Sequence, residues 1–149
     1  MNAITQVFDA FMDMVDAVLN PPTVTKGADP EPPHASCVVG AMPPHNGYAA
    51  QISTGATDTT YLNKGIEIGL SIVLNGKNES QSVVCDTLNE IHKSLTMTKD
   101  YPSTGDYQIV DIRTDSFPNY IGREDNEYLY GSAFRVRAFI KQKGITING

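Results

Sequence analysis

The sequence predicts an α+β domain: an antiparallel sheet, mixed at most, of four or five strands, with two helices packed on one face. Three observations lead there. In YLNKGIEIGLSIVLN (Tyr61 to Asn75), Ile66, Ile68, Leu70, Ile72 and Leu74 recur at every second position, the period of a strand with one face on a core. Residues 3–19 and about 78–97 instead place apolar residues at steps of three and four, the period of one-sided helices. Two further alternating runs, Tyr107–Phe117 and Tyr128–Lys143, flank one polar loop and read as an antiparallel hairpin. At 149 residues the chain fits a single domain, 1–149, that can bury a core without metals or crosslinks.

In the first helix, Ile4, Phe8, Phe11, Val15 and Val18 form the apolar stripe, and Asp9, Asp13 and Asp16 fall on another. Asn20 and Pro21-Pro22 end it, because proline removes a donor and restricts the residue before it. Residues 20–36 hold five prolines and few apolar residues, so they read as a Pro-rich arm or loop, either reaching across another subunit or lying loose on the surface.

Two short strands follow, SCVVGAM and YAAQIST, joined through PPHNG with Asn46-Gly47 as turn chemistry. TGATDTT (54–60) reads as a second turn leading into the long strand, which is expected to end at Asn75-Gly76 and to be central in the sheet. Asn78 with Gln81 three positions on resembles a capping box for the second helix. Val84, Leu88, Ile91 and Leu95 share its apolar face, with His92 expected at the boundary and Cys85 as a packing residue.

In the hairpin, strict alternation puts Tyr107, Ile109, Asp111 and Arg113 on one face of the first strand, and Gln108, Val110 and Ile112 on the other. Pro118 closes that strand, leaving NYIGREDNE as the loop. In the second strand Tyr130, Phe134, Val136, Ala138 and Ile140 face one way, opposite Arg135, Arg137, Phe139, Lys141 and Lys143.

Composition narrows the function. The net charge of -6 disfavours non-specific contact with nucleic acid or an anionic membrane. Residues 1–60 carry six acidic groups against one lysine, whereas the rest of the chain is nearly balanced. Cys37 and Cys85 form no metal knuckle or redox pair and read as free thiols of a reducing cytoplasm. The N-terminal apolar residues are punctuated by aspartates and do not read as a signal peptide, and no run is long enough to span a membrane.

No glycine-rich phosphate loop or nucleophile elbow is present, and His34, His45 and His92 lack acidic or cysteine partners at ligand spacing. Asp9, Asp13 and Asp16 read as a solvated face in preference to a metal or acid–base site. No catalytic residue, cofactor or metal is therefore expected. The strongest asymmetry is the basic stripe of the last strand, which reads either as a solvent face or as a surface meeting something acidic. Because Phe139 shares that face, a protein partner fits better than a DNA backbone. Asp9, Asp13 and Asp16, on the same chain or a neighbour, are the candidate counter-surface to Arg135, Arg137, Phe139 and Lys141.

The phrases NKGIEIGLSIVLNGKN, CDTLNEIHKSL and DSFPNYIGREDNEYLYGSAFRVRAFI, in that order, resemble tailed-bacteriophage minor capsid proteins of the tail-terminator, or head–tail joining, type. The resemblance covers about residues 45 to 141 and rests on element order and on these phrases. It implies a tail-terminator-like fold and a non-enzymatic virion protein, assembled in the bacterial host cytoplasm as a homo-oligomeric ring, commonly of six subunits. Such a ring caps the tail tube and joins it to the connector, and DNA passes through it without sequence-specific binding. A head-completion or connector-adaptor protein, and a non-viral protein-binding module, are the alternative readings.

Overall fold

A computed structural model describes residues 3–20, 37–43, 45–60 and 65–141. Two helices, α1 (Ala3–Leu19) and α2 (Gln81–Thr96), accompany five strands: β1 (Cys37–Val39), β2 (Gly47–Thr60), β3 (Ile66–Asn78), β4 (Tyr107–Glu124) and β5 (Glu127–Ile140). The strands form one open sheet in the order β1-β2-β3-β5-β4, with β3 at its centre. β1 runs parallel to β2, and every other pairing is antiparallel. The architecture is α+β with a mixed sheet. Residues 21–36, with nearly all of the expected Pro-rich arm, lie outside the described residues, as do 61–64 and Lys143.

The alternation of β3 and β5 builds the core. Ile68, Leu70 and Ile72 stand opposite Ala138, Val136 and Phe134, and side chains at opposed positions project from the same face. Phe134 is fully buried and identifies that face: Phe11 of α1 meets its ring edge-on at 5.1 Å between centroids, and His92 of α2 stacks on it at 3.7 Å. Both helices therefore cover one side. From α1 come Val7, Phe8, Phe11 and Val15, and from α2 come Val84, Leu88, Ile91 and Leu95, all in one cluster with the sheet. Ile4 and Val18 of the expected stripe are only half-buried, while Val7, Ala10 and Leu19 widen it.

Several local expectations are corrected by neighbours. The TGATDTT segment is strand, because β3 pairs with β2 as far as Thr60 opposite Ile66, across register shifts at Ile52/Thr54 and Thr57/Thr59. β3 likewise runs through Asn75-Gly76 to Asn78, held by Tyr128 to Gly131 of β5. Gly76 suits that path: a side chain there would meet the Tyr48 ring at 2.7 Å. Asn78 is thus still strand, and the helix cap moves to Ser80, whose Oγ accepts from the Val83 amide at 3.4 Å. Asn78 Oδ1 instead accepts from the Ser80 amide at 2.8 Å, and Gln81 Nε2 donates to Tyr130 Oη at 2.6 Å.

Asn46-Gly47 does not close a hairpin between β1 and β2. Its amide donates to the buried Glu127 carboxylate of β5, and Asn46 Oδ1 accepts from the Glu79 amide at 3.2 Å. That tie starts β2 opposite Lys77, and β1 joins β2 in parallel, beginning with Cys37 opposite Tyr48.

The largest correction concerns β4. It does not stop at Pro118 but continues to Glu124, where Asp125 and Asn126 turn it back into β5 with Asp125 in the left-handed region at φ 56°. Pro118 is tolerated because β4 is an edge strand and the proline falls in the register break between Ser116 and Asn119. A further break between Ile109 and Asp111 shifts the parity of the residues from Asp111 to Thr114, as far as the next break. Ile112 thereby joins Tyr107 and Ile109 in the core, and Asp111 passes to the open face opposite Arg137. Arg113, opposite Arg135, lies at the sheet edge, where it also borders the groove between α2 and β4.

Candidate functional site

The sheet face away from the helices carries the basic stripe read from the sequence. Arg137 lies at its middle rung, between Gly69 of β3 and Asp111 of β4. Its Nε stands 3.0 Å from Glu67 Oε1, and its Nη2 donates to Asp111 Oδ2 at 3.1 Å. Arg113 approaches the same Asp111 oxygen through Nε at 3.4 Å. Two carboxylates from the flanking strands thus hold Arg137 across three strands, a use of the charge internal to the chain. Asp111 and Glu67 are each less than one-third exposed, whereas Arg137 is 42% exposed, so the network is partly wet and modest in energy.

Phe139 also has an internal role. Its half-buried ring fills the space that a side chain at residue 65 would occupy, and so covers Gly65 at the start of β3. Arg135 and Lys141 are exposed on this face, and the Lys141 amide is tied to Asp106 O at 2.9 Å. Asp9, Asp13 and Asp16 are exposed on α1, on the helix side of the sheet. One chain does not bring the acidic and basic sets together.

The structure adds features that the sequence reading missed. Phe117, Tyr120 and Ile121 on the second half of β4 are more than half exposed, and Met97 at the end of α2 is 70% exposed. The sequence places a strand end at Pro118 and so leaves Tyr120 and Ile121 in the loop. A groove of about 600 Å³ lies between α2 and β4, with Met97, Phe117, Lys93 and Arg113 on its walls. A second, of about 480 Å³, lies between α1 and the start of β4, where Asp9, Asp13, Met14 and Tyr107 line it. Burial, reinforced by the Asp13 and Asp9 carboxylates, pushes the Tyr107 hydroxyl above its ordinary range.

His92 is not at a boundary but 2% exposed, between the Phe134 ring and the more distant ring of Phe117. Its Nδ1 shares a hydrogen bond of 2.8 Å with Thr114 Oγ1, and burial lowers its pKa from 6.5 to about 4, which keeps the imidazole neutral. Cys37 and Cys85 are half-buried free thiols, and burial, then the nearby Asp16, raises Cys37 to about 12, so it stays protonated. Among the described residues no cluster of three or more His, Cys, Asp or Glu is placed to hold a metal ion, and no helix is long and apolar enough to cross a membrane.

No protein-family model matches the chain, and no curated protein matches it.

Proposed function

We propose that this chain is a structural virion protein, a tail-terminator or head–tail joining subunit that assembles into a ring, caps the phage tail tube and joins it to the connector. The observation that carries the reading is the second half of β4. It is an edge strand that leaves Phe117, Tyr120 and Ile121 more than half exposed, Tyr120 beside Tyr130 on the helix side and Ile121 beside Gly131 on the other side of the sheet. Large apolar side chains left exposed along an unpaired strand edge offer a neighbouring chain a ready template for contact. The same stretch, PNYIGREDNEYLYGSAFRV, carries much of the resemblance to that family.

In this reading the protein has no chemistry of its own. Its work is done by shape and copy number, its partners being further copies and the tail-tube and connector proteins. A net-negative ring repels the DNA that passes through it and lets it slide. The test is sizing of the purified chain by light scattering over a wide range of concentrations, with particle imaging of the largest species. Rings of uniform copy number are expected. A monomer at every concentration, with no capture of purified tail tubes, overturns the proposal.

A further inference from the structure

The two grooves beside the helices differ in charge and relief in a way that suits one to the other. The charged residues bordering the α2–β4 groove are both cations, Lys93 and Arg113, and its lips carry two of the most exposed large apolar side chains described, Met97 and Phe117. The charged residues bordering the α1–β4 groove are both anions, Asp9 and Asp13, around an apolar lining that includes Ala10, Met14 and Tyr107. One surface projects an aromatic ring flanked by positive charge. The other offers an apolar recess flanked by negative charge.

We propose that these surfaces meet between copies of the chain: the Phe117–Met97 lip of one copy seats in the α1–Tyr107 recess of the next, with Lys93 and Arg113 opposite Asp9 and Asp13. The inference rests on the self-assembly proposed above and names the contact that carries it. Charge complementarity selects a second copy as the occupant. A chain of net charge -6 repels its own kind on average, so copies associate best where a local cationic patch meets an acidic one. Aromatic, methionine and arginine side chains are the types enriched where protein interfaces are most desolvated.

On the open face, by contrast, Arg137 is held between Glu67 and Asp111 and Phe139 covers Gly65, whereas Arg113 meets Asp111 through Nε alone at 3.4 Å and its side chain is 73% exposed. That leaves the helix-side pair of surfaces with the better-matched charge and relief. The unlike patches also supply the kind of contact a ring needs, in which each copy gives one surface and receives on another.

Sizing of the full chain by light scattering at graded concentrations tests this, with circular dichroism to verify folding. The wild type is expected to assemble. Phe117→Ser is expected to raise the concentration for half-assembly by about tenfold or more, the size of effect typical of an interface anchor. Lys93→Glu with Arg113→Glu, and separately Asp9→Lys with Asp13→Lys, are each expected to remain monomeric and to assemble again when mixed. Rescue by mixing is a result that a folding defect cannot produce.

Wild-type assembly that survives all three changes overturns this contact while leaving the ring intact. So does loss of assembly in Arg135→Glu with Lys141→Glu while the Lys93/Arg113 variant still assembles, which places the contact on the open sheet face. A wild type that never assembles overturns the contact and the proposed function together.

Discussion

From Tyr107 to Thr114, β4 runs beneath the helices, and Tyr107, Ile109 and Ile112 are buried there; from Asp115 to Glu124 no side chain of the same strand is buried. Both halves pair with β5, so the backbone ladder is common to them. What differs is the layer above. The first half has hydrogen bonds and a core, and the second has hydrogen bonds and water. Strand pairing alone contributes little net stability, since each bond replaces one to water, whereas apolar burial is the dominant favourable term. Stability is therefore concentrated in the first half, and the second leaves Phe117, Tyr120 and Ile121 open to solvent.

The largest effect that sharpens this contrast is expected at Ile112. Truncation of Ile112→Ala removes a fully covered side chain and is expected to cost about 2–5 kcal/mol in urea unfolding. A cost near zero would mean that the bulge at Ile109/Asp111 does not direct Ile112 inward.

At the junction of the halves, His92 gives the next effect. In the unfolded chain its imidazole takes a proton near 6.5, and in the folded chain only near 4. Between those values the unfolded state binds more protons, so stability falls as the pH drops through this window and levels out below it. For this group alone the loss is on the order of 3 kcal/mol. In His92→Phe, which keeps a ring on Phe134, the fall in urea midpoint between pH 7 and pH 4 should be shallower than in the wild type. Equal slopes would show that the imidazole already protonates freely in the fold.

On the open face, Arg137→Met is expected to cost about 1 kcal/mol, as the network is partly exposed and its loss leaves Glu67 and Asp111 without their shared cation. The loss should shrink at high salt. An effect as large as that of Ile112→Ala would make the open face a second centre of stability.

The smallest effect belongs to the second half itself. Phe117 is 72% exposed, and Phe117→Ala is expected to change the stability of a single chain by less than about 0.5 kcal/mol. Urea unfolding at low protein concentration measures it. A loss of several kcal/mol would show that Phe117 belongs to the core of its own chain.

The periods of two and of three to four residues are properties of adjacent residues, and they carried much of the fold by themselves. The bounds of α1, the pairing of Tyr107–Phe117 with the last strand, the central place of the long strand and the cluster of Ile68, Leu70 and Ile72 with Val84, Leu88, Ile91 and Leu95 were all legible. So was the parity of the last strand, which places Phe134 inward and Arg135 and Arg137 outward.

What only the tertiary structure decided depends on partners distant in sequence. The break at Ile109/Asp111 reverses the parity of β4 as far as Thr114, because inserting one residue against a partner exchanges the side chains that follow between faces until the next break. Pro118 ends a strand in isolation, yet on an edge it has no partner to disappoint. Arg137 looks like free charge in one dimension, and only the register of three strands sets Glu67 and Asp111 beside it. The contrast between the two halves of β4 has the same origin: local sequence makes both into strand, but only the placement of the helices determines which half is covered.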